Sequence, residues 1–237
     1  MEKLWLSLTQ NLDFVAVCFA ILAGLYALAR LLERFAPAKR QLSAARRISI
    51  LAICGALAWL LMLLEFPVVF LAPGFYKLDF SELPIMLCGF YLGPSAAVAC
   101  EGLKVILNLL TDGTTTAFVG EFANFTVGCS LVLPAAILYR YHNSRKGAIW
   151  GLVAGSVCIT VFGSMFNAFY LLPKFSQLYG IPLGAILAMG TAINPAIDSV
   201  GSFVLLAVVP LNIIKALCVS GLTMLLYKRV ARPLFQK

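Results

Sequence analysis

The run from Val200 to Tyr227 constrains this chain most. It is apolar over a length that crosses a bilayer, which takes roughly 20 residues, and it carries Asn212 and Lys215 near its middle. A lysine at the centre of a membrane helix costs about 3 kcal/mol on insertion scales. Spaced three apart, the two side chains share one helical face. The next basic residues, Lys228 and Arg229, lie about 20 Å further along at 1.5 Å per residue, too far for Lys215 to snorkel to the interface. Lys215 therefore needs a buried carboxylate, a watery cavity or a polar ligand, and a pairing made for packing alone stays open beside a functional one.

Six further apolar stretches precede it, at about 12–32, 46–66, 83–93, 95–111, 118–140 and 147–172. With 62% hydrophobic and 12% charged residues, the chain reads as an all-α polytopic membrane protein. Lipid forces backbone groups to be satisfied within each segment, and the short alternating stretches of a barrel do not occur. Gly93-Pro94 separates the third and fourth stretches, and the third is too short to cross alone. Residues 12–32 resemble a signal peptide only superficially and read as an uncleaved helix. That helix, tied on by a polar linker with Pro37, divides the chain into 1–40 and a six-span domain, 41–237.

The net charge of +8 does not point to nucleic acid, because most Lys and Arg fall in three clusters: Arg30–Arg47, Arg140–Lys146 and Lys228–Lys237. With the N-terminus outside and the C-terminus cytoplasmic, all three lie inside, as the positive-inside rule requires, against anionic lipid headgroups of the bilayer. The seven cysteines are scattered and unpaired, and His142 sits in a basic loop, so a zinc site is not indicated.

Several polar residues interrupt the spans. Glu101 and Lys104, three apart, read as a self-neutralising pair inside the bundle. Glu121 opens a helix, where the dipole favours it, and Asn124 lies one turn deeper, placed to face a cavity. Asn167 marks the outer end of the sixth span and serves either a ligand or a neighbouring helix. In the orientation above, Asn124, Asn167, Asn212 and Lys215 converge in the outer half of the bilayer. Donors and neutral acceptors among Phe, Tyr, Leu and Met, rather than clustered carboxylates, suit a planar ligand with a polar edge. The turn-rich loop 72–84 is either an aromatic belt or a lid, with Ser81 placed to cap the next helix and Pro84 in its first turn. Ala52 and Ala56 form a small-xxx-small pair that permits close helix approach.

LDFSELP (78–84), FYLGP (90–94), EGLK (101–104), GEFAN (120–124) and PLNIIK (210–215), in that order, resemble the substrate-binding S-components of energy-coupling factor (ECF) transporters, most closely the riboflavin-specific kind. The resemblance covers about residues 46–228. It implies a six-helix bundle that captures a vitamin from outside, then works with a transmembrane coupling protein and two cytoplasmic ATPases. It implies riboflavin as transported ligand and no cofactor. Asn212 and Lys215 match the family's Asn-x-x-Lys pair, and Asn167 its asparagine on the preceding span. Leu78, Asp79 and Phe80 lie in the loop that occludes the ligand, and Ala52 and Ala56 match the AxxxA contact with the coupling protein. The leading helix departs from the pattern.

The chain contains no GxxxxGK[ST] motif, so P-loop ATP hydrolysis is not expected of it. FMN or another vitamin is the alternative ligand. A stand-alone facilitator is a different class. An intramembrane enzyme is another, disfavoured because the spans hold no histidine, no GxSxG and no pair of carboxylates at helical spacing.

Overall fold

The computed structural model describes residues 12–36, 42–114 and 116–227. The linker at Pro37 and the basic tail from Lys228 lie outside them. Helix α1 (Leu12–Arg34) is followed by α2 (Ala44–Leu63), α3 (Glu82–Leu92), α4 (Pro94–Thr111), α5 (Val119–Tyr141) and α6 (Arg145–Phe166). Next come α7 (Leu172–Tyr179), α8 (Leu183–Thr191), α9 (Val200–Phe203) and α10 (Val209–Leu226). Six of the helical stretches are long and apolar enough to cross a membrane, and α3 is shorter.

Where the apolar runs meet prolines, the helices change pitch. A π-helical turn, Asn167–Leu171, joins α6 to α7 just before Pro173, and a second, Val204–Val208, joins α9 to α10 just before Pro210. Proline lacks an N–H and its ring collides with the carbonyl four residues back. In both places that carbonyl (Phe169, Leu206) lies inside the wider turn, which relieves the clash without ending the helix. The segment 173–199, which separates the last two apolar stretches, is itself helical in α7 and α8, and Ile186 and Ile197 close a second apolar cluster against Phe203 and Tyr76.

The main core lies among α2 to α6 and α10, around Phe90, Tyr139, Leu131 and Ile159. Small residues set the spacing. A Cβ at Gly151 of α6 would stand 2.7 Å from the Ala135 carbonyl oxygen, so α5 and α6 touch backbone to backbone. Gly93, between α3 and α4, sits at φ +112, where other residues are strained.

The loop between α2 and α3 holds a two-residue antiparallel pair, β1 (Phe66–Pro67) with β2 (Lys77–Leu78), reinforced by an ion pair between Glu65 and Lys77. Ser81 precedes α3 and Pro84 lies in its first turn, as expected, but the Ser81 hydroxyl makes no capping bond. It accepts instead from Lys104 Nζ at 3.1 Å, while the Ser81 N–H donates to Asp79 Oδ1 at 2.8 Å.

Helix α1 lies against α4 and α5, with Ala29 fully buried beside Val98, Phe125 and Cys129. Its Glu33 carboxylate accepts from the Ser95 N–H at 2.9 Å and from the Ser95 hydroxyl, in the first turn of α4. Tyr141 donates to the Leu32 carbonyl at 2.9 Å.

Candidate functional site

A cavity of about 650 Å³ opens at the end of the bundle that carries the α2–α3 loop. Its size falls within the range of about 300–1,000 Å³ typical of small-molecule sites. Four polar side chains expected to converge do so: Asn124 from α5, Asn167 from the π turn after α6, and Asn212 and Lys215 from α10 all line it. Leu78 and Asp79 line it from the loop. Phe80 does not. It turns away into the core, its ring 6.0 Å from that of Phe66.

Lys215 is only 14% exposed and is held by two carboxylates, Asp79 Oδ2 at 3.1 Å and Glu82 Oε1 at 2.9 Å. Beneath it, Lys104 contacts Glu101 at 2.7 Å and Glu82 at 3.6 Å, all three fully buried. Glu101 and Lys104 are thus a pair, but not a self-contained one, since Glu82 links them to Lys215. A Cβ at Gly128 would meet Glu101 Oε1 at 2.6 Å, so only glycine there lets α5 pass so close to the carboxylate. Asp79 belongs to the loop. Burial pushes its carboxyl up, but Lys215 and then Lys104 outweigh this and hold it at about 2.

One expectation fails here. The site does contain clustered carboxylates, because Asp79 and Glu82 both reach Lys215. They were hidden because Asp79 belongs to a loop and Glu82 is the first residue of α3, so neither interrupts an apolar run. The signal available was Lys215 itself, whose requirement for a buried counter-charge these two residues meet.

The remaining polar groups are divided into used and unused faces. Asn167 Oδ1 accepts from the Tyr76 hydroxyl, a partner sequence reasoning did not single out. Its Nδ2 makes no hydrogen bond among the described residues. Asn212 Nδ2 donates to Ser164 Oγ at 3.4 Å and its Oδ1 stays free among them. An ammonium has three donors, and two of Lys215's point at carboxylates. Asn124 Oδ1 is buried with no partner. Phe75, Tyr76 and Phe175 supply aromatic surface to the cavity. The free donors and acceptors are ringed by aromatic and apolar walls, the make-up typical of small-molecule cavities.

Ala52 and Ala56 lie elsewhere. Ala52 is exposed and Ala56 half-buried on the outer face of α2, beside the exposed Ile53 and Leu60. Gly55, not the two alanines, faces the core, where a Cβ would collide with Leu103.

A membrane-embedded helical bundle built around such a cavity is a ligand-binding membrane protein. The chain belongs to the family "ECF transporter, substrate-specific component", whose profile matches residues 46–227 and leaves α1 outside. It is similar to the riboflavin transporter RibU of Staphylococcus aureus, at 31% identity over 78% of this chain and 90% of the relative. It is also similar to the riboflavin transporter FmnP of Bacillus subtilis, at 29% identity over 77% of this chain and 90% of the relative. A solved structure described as "Structure and mechanism of the S component of a bacterial ECF transporter" superposes with a TM-score of 0.63 at 33% identity, over 80% of this chain and 98% of that one. The family consists of transporter components that bind substrate, not enzymes, and the long apolar helices make this member a multi-pass membrane protein.

Proposed function

We propose that this protein is the riboflavin-binding subunit of an ECF-type importer, capturing the vitamin from outside and delivering it inward with a transmembrane coupling protein and two ATPases. The observation that carries the reading is the pattern of unused polar atoms in the cavity: the third Lys215 N–H, Asn212 Oδ1 and Asn167 Nδ2. They give a donor, an acceptor and a donor. The pyrimidine edge of an isoalloxazine ring offers carbonyl, N–H, carbonyl, the complementary order. Each bond to Lys215 is worth more than a neutral one because the donor is charged.

In this mechanism the ring lies between aromatic side chains, with Phe75, Tyr76 and Phe175 available for stacking. Leu78 and Asp79 close the cavity from the loop, whose β pair and Glu65–Lys77 ion pair tie it to the end of α2. Asp79 and Glu82 hold the Lys215 ammonium in place so that binding needs no reorientation of the lysine. Residues 41–237 form the substrate-binding domain and residues 1–40 an accessory helix and linker. Ala52 and Ala56, on the outer face of α2, meet the coupling protein. The N-terminus lies outside and the C-terminus in the cytoplasm, which puts Arg46, Arg47, Arg140 and Arg145 on the inner side. The names of the relatives favour riboflavin over FMN.

Purification in detergent tests this directly. The protein should come out yellow, or take up riboflavin with quenched flavin fluorescence at one ligand per chain. A well-folded preparation that stays colourless and quenches no flavin refutes the assignment.

A further inference from the structure

Every carboxylate lining the cavity has a cation beside it except one. Glu65 pairs with Lys77, Asp79 with Lys215, and Glu82 with both Lys215 and Lys104. Glu121 pairs with no cation among the described residues. It is half-buried in the first turn of α5, and its only described partner is the Thr116 hydroxyl, which donates to Oε2 at 3.0 Å. Thr116 is itself fixed, since its Oγ1 accepts from the Gly120 N–H at 2.9 Å. A Cβ at residue 120 would crowd that hydroxyl at 2.8 Å. One carboxylate oxygen is therefore engaged by Thr116, and Oε1 is left over.

Asn124 lies one turn further down the same face of α5, and its buried Oδ1 has no partner. Gly128, one more turn down, abuts the Glu101–Lys104 pair that underlies Lys215. The order along α5 is thus an unpaired carboxylate near the loop end, an unpaired amide oxygen below it, then the ionic floor. Both free atoms are acceptors. Leaving a buried acceptor unsatisfied is costly, and a half-buried carboxylate without a counter-ion more so.

We propose that Glu121 and Asn124 form an acceptor wall for the hydroxyl groups of a polyol chain on the ligand. This rests on the flavin reading above. A flavin ring has one N–H, which the Lys215–Asn212–Asn167 end of the cavity engages. The other donors on riboflavin are the hydroxyls of its ribityl chain. With the ring's polar edge at Lys215, Asn212 and Asn167, that chain lies in this reading against α5, where Glu121 and Asn124 also line the cavity. The wall makes the protein a reader of the sugar-alcohol chain as well as of the ring.

The test is binding of two probes, riboflavin and lumiflavin, which has the same ring with a methyl in place of the ribityl chain. Wild-type protein should bind riboflavin at least about tenfold more tightly, the factor expected from one hydrogen bond to a charged acceptor. Glu121→Gln should lose about tenfold for riboflavin and leave lumiflavin unchanged, and Asn124→Leu should act in the same direction. Retained lumiflavin binding also reports that each variant is folded. Equal affinity of the wild type for both probes, or variants that weaken both probes alike or neither, overturns the acceptor wall while leaving the flavin assignment standing. A wild type that binds neither probe overturns the flavin assignment, and the wall with it.

Discussion

Replacing Lys215 with methionine keeps the length of the side chain and deletes its charge, which separates two roles that one ammonium performs. The first is structural. Lys215 lies 3.1 Å from Asp79 and 2.9 Å from Glu82, and Glu82 has only Lys104 at 3.6 Å to fall back on. Removing one partner from a buried ion pair costs about 3–5 kcal/mol, because the other charge stays buried without compensation. The second role is binding, where the lost hydrogen bond from a charged donor is worth about 1.5–3 kcal/mol, or roughly 10- to 150-fold in Kd. Thermal unfolding in detergent reads the first, and fluorescence titration with riboflavin reads the second. Adding Asp79→Asn to Lys215→Met removes one orphaned carboxylate. The double variant should therefore recover a substantial part of the lost stability and none of the lost affinity, a departure from additivity expected of residues in contact. The reasoning is refuted if Lys215→Met melts and binds like wild type. It is refuted equally if the double variant is as unstable as the two single changes summed.

Three further outcomes are expected. Ala52→Leu with Ala56→Leu adds bulk to the outer face of α2 only, so uptake by cells should fall to background while the purified protein binds riboflavin normally; wild-type uptake rejects the coupling contact. Glu33→Gln weakens the bonds to Ser95 at the start of α4 and should lower stability by about 1 kcal/mol with riboflavin affinity unchanged, read by melting and titration, and an unaltered melt shows that the Glu33–Ser95 contact does not stabilise the bundle. Gly128→Ala drives a methyl into Glu101, 2.6 Å away, and should destabilise by about 1–3 kcal/mol; a wild-type melting temperature shows that Glu101 is free to move aside.

The helical membrane architecture was legible because hydrocarbon admits few alternatives. Each apolar stretch had to become a helix, and the basic clusters ordered the ends. The convergence of Asn124, Asn167, Asn212 and Lys215 followed from that ordering, since depth along a membrane helix can be counted in residues. Counting depth does not give direction. Nothing in LDFSELP says that Asp79 turns toward Lys215 while Phe80, its neighbour, turns into the core. The two π turns, and the helix α8 within a segment read as a connection, were also beyond reach. Pro173 and Pro210 announce a disturbance, but whether the helix breaks or widens depends on what packs against it.

The sequence by itself determined that Lys215 must find a partner, because an isolated ammonium in hydrocarbon is too costly to keep. Only the tertiary structure decided that Asp79, from a loop far away in the chain, and Glu82, from the start of another helix, are those partners. An ionic contact depends on distances of a few ångströms between segments remote in sequence, and these are fixed only when the helices have packed.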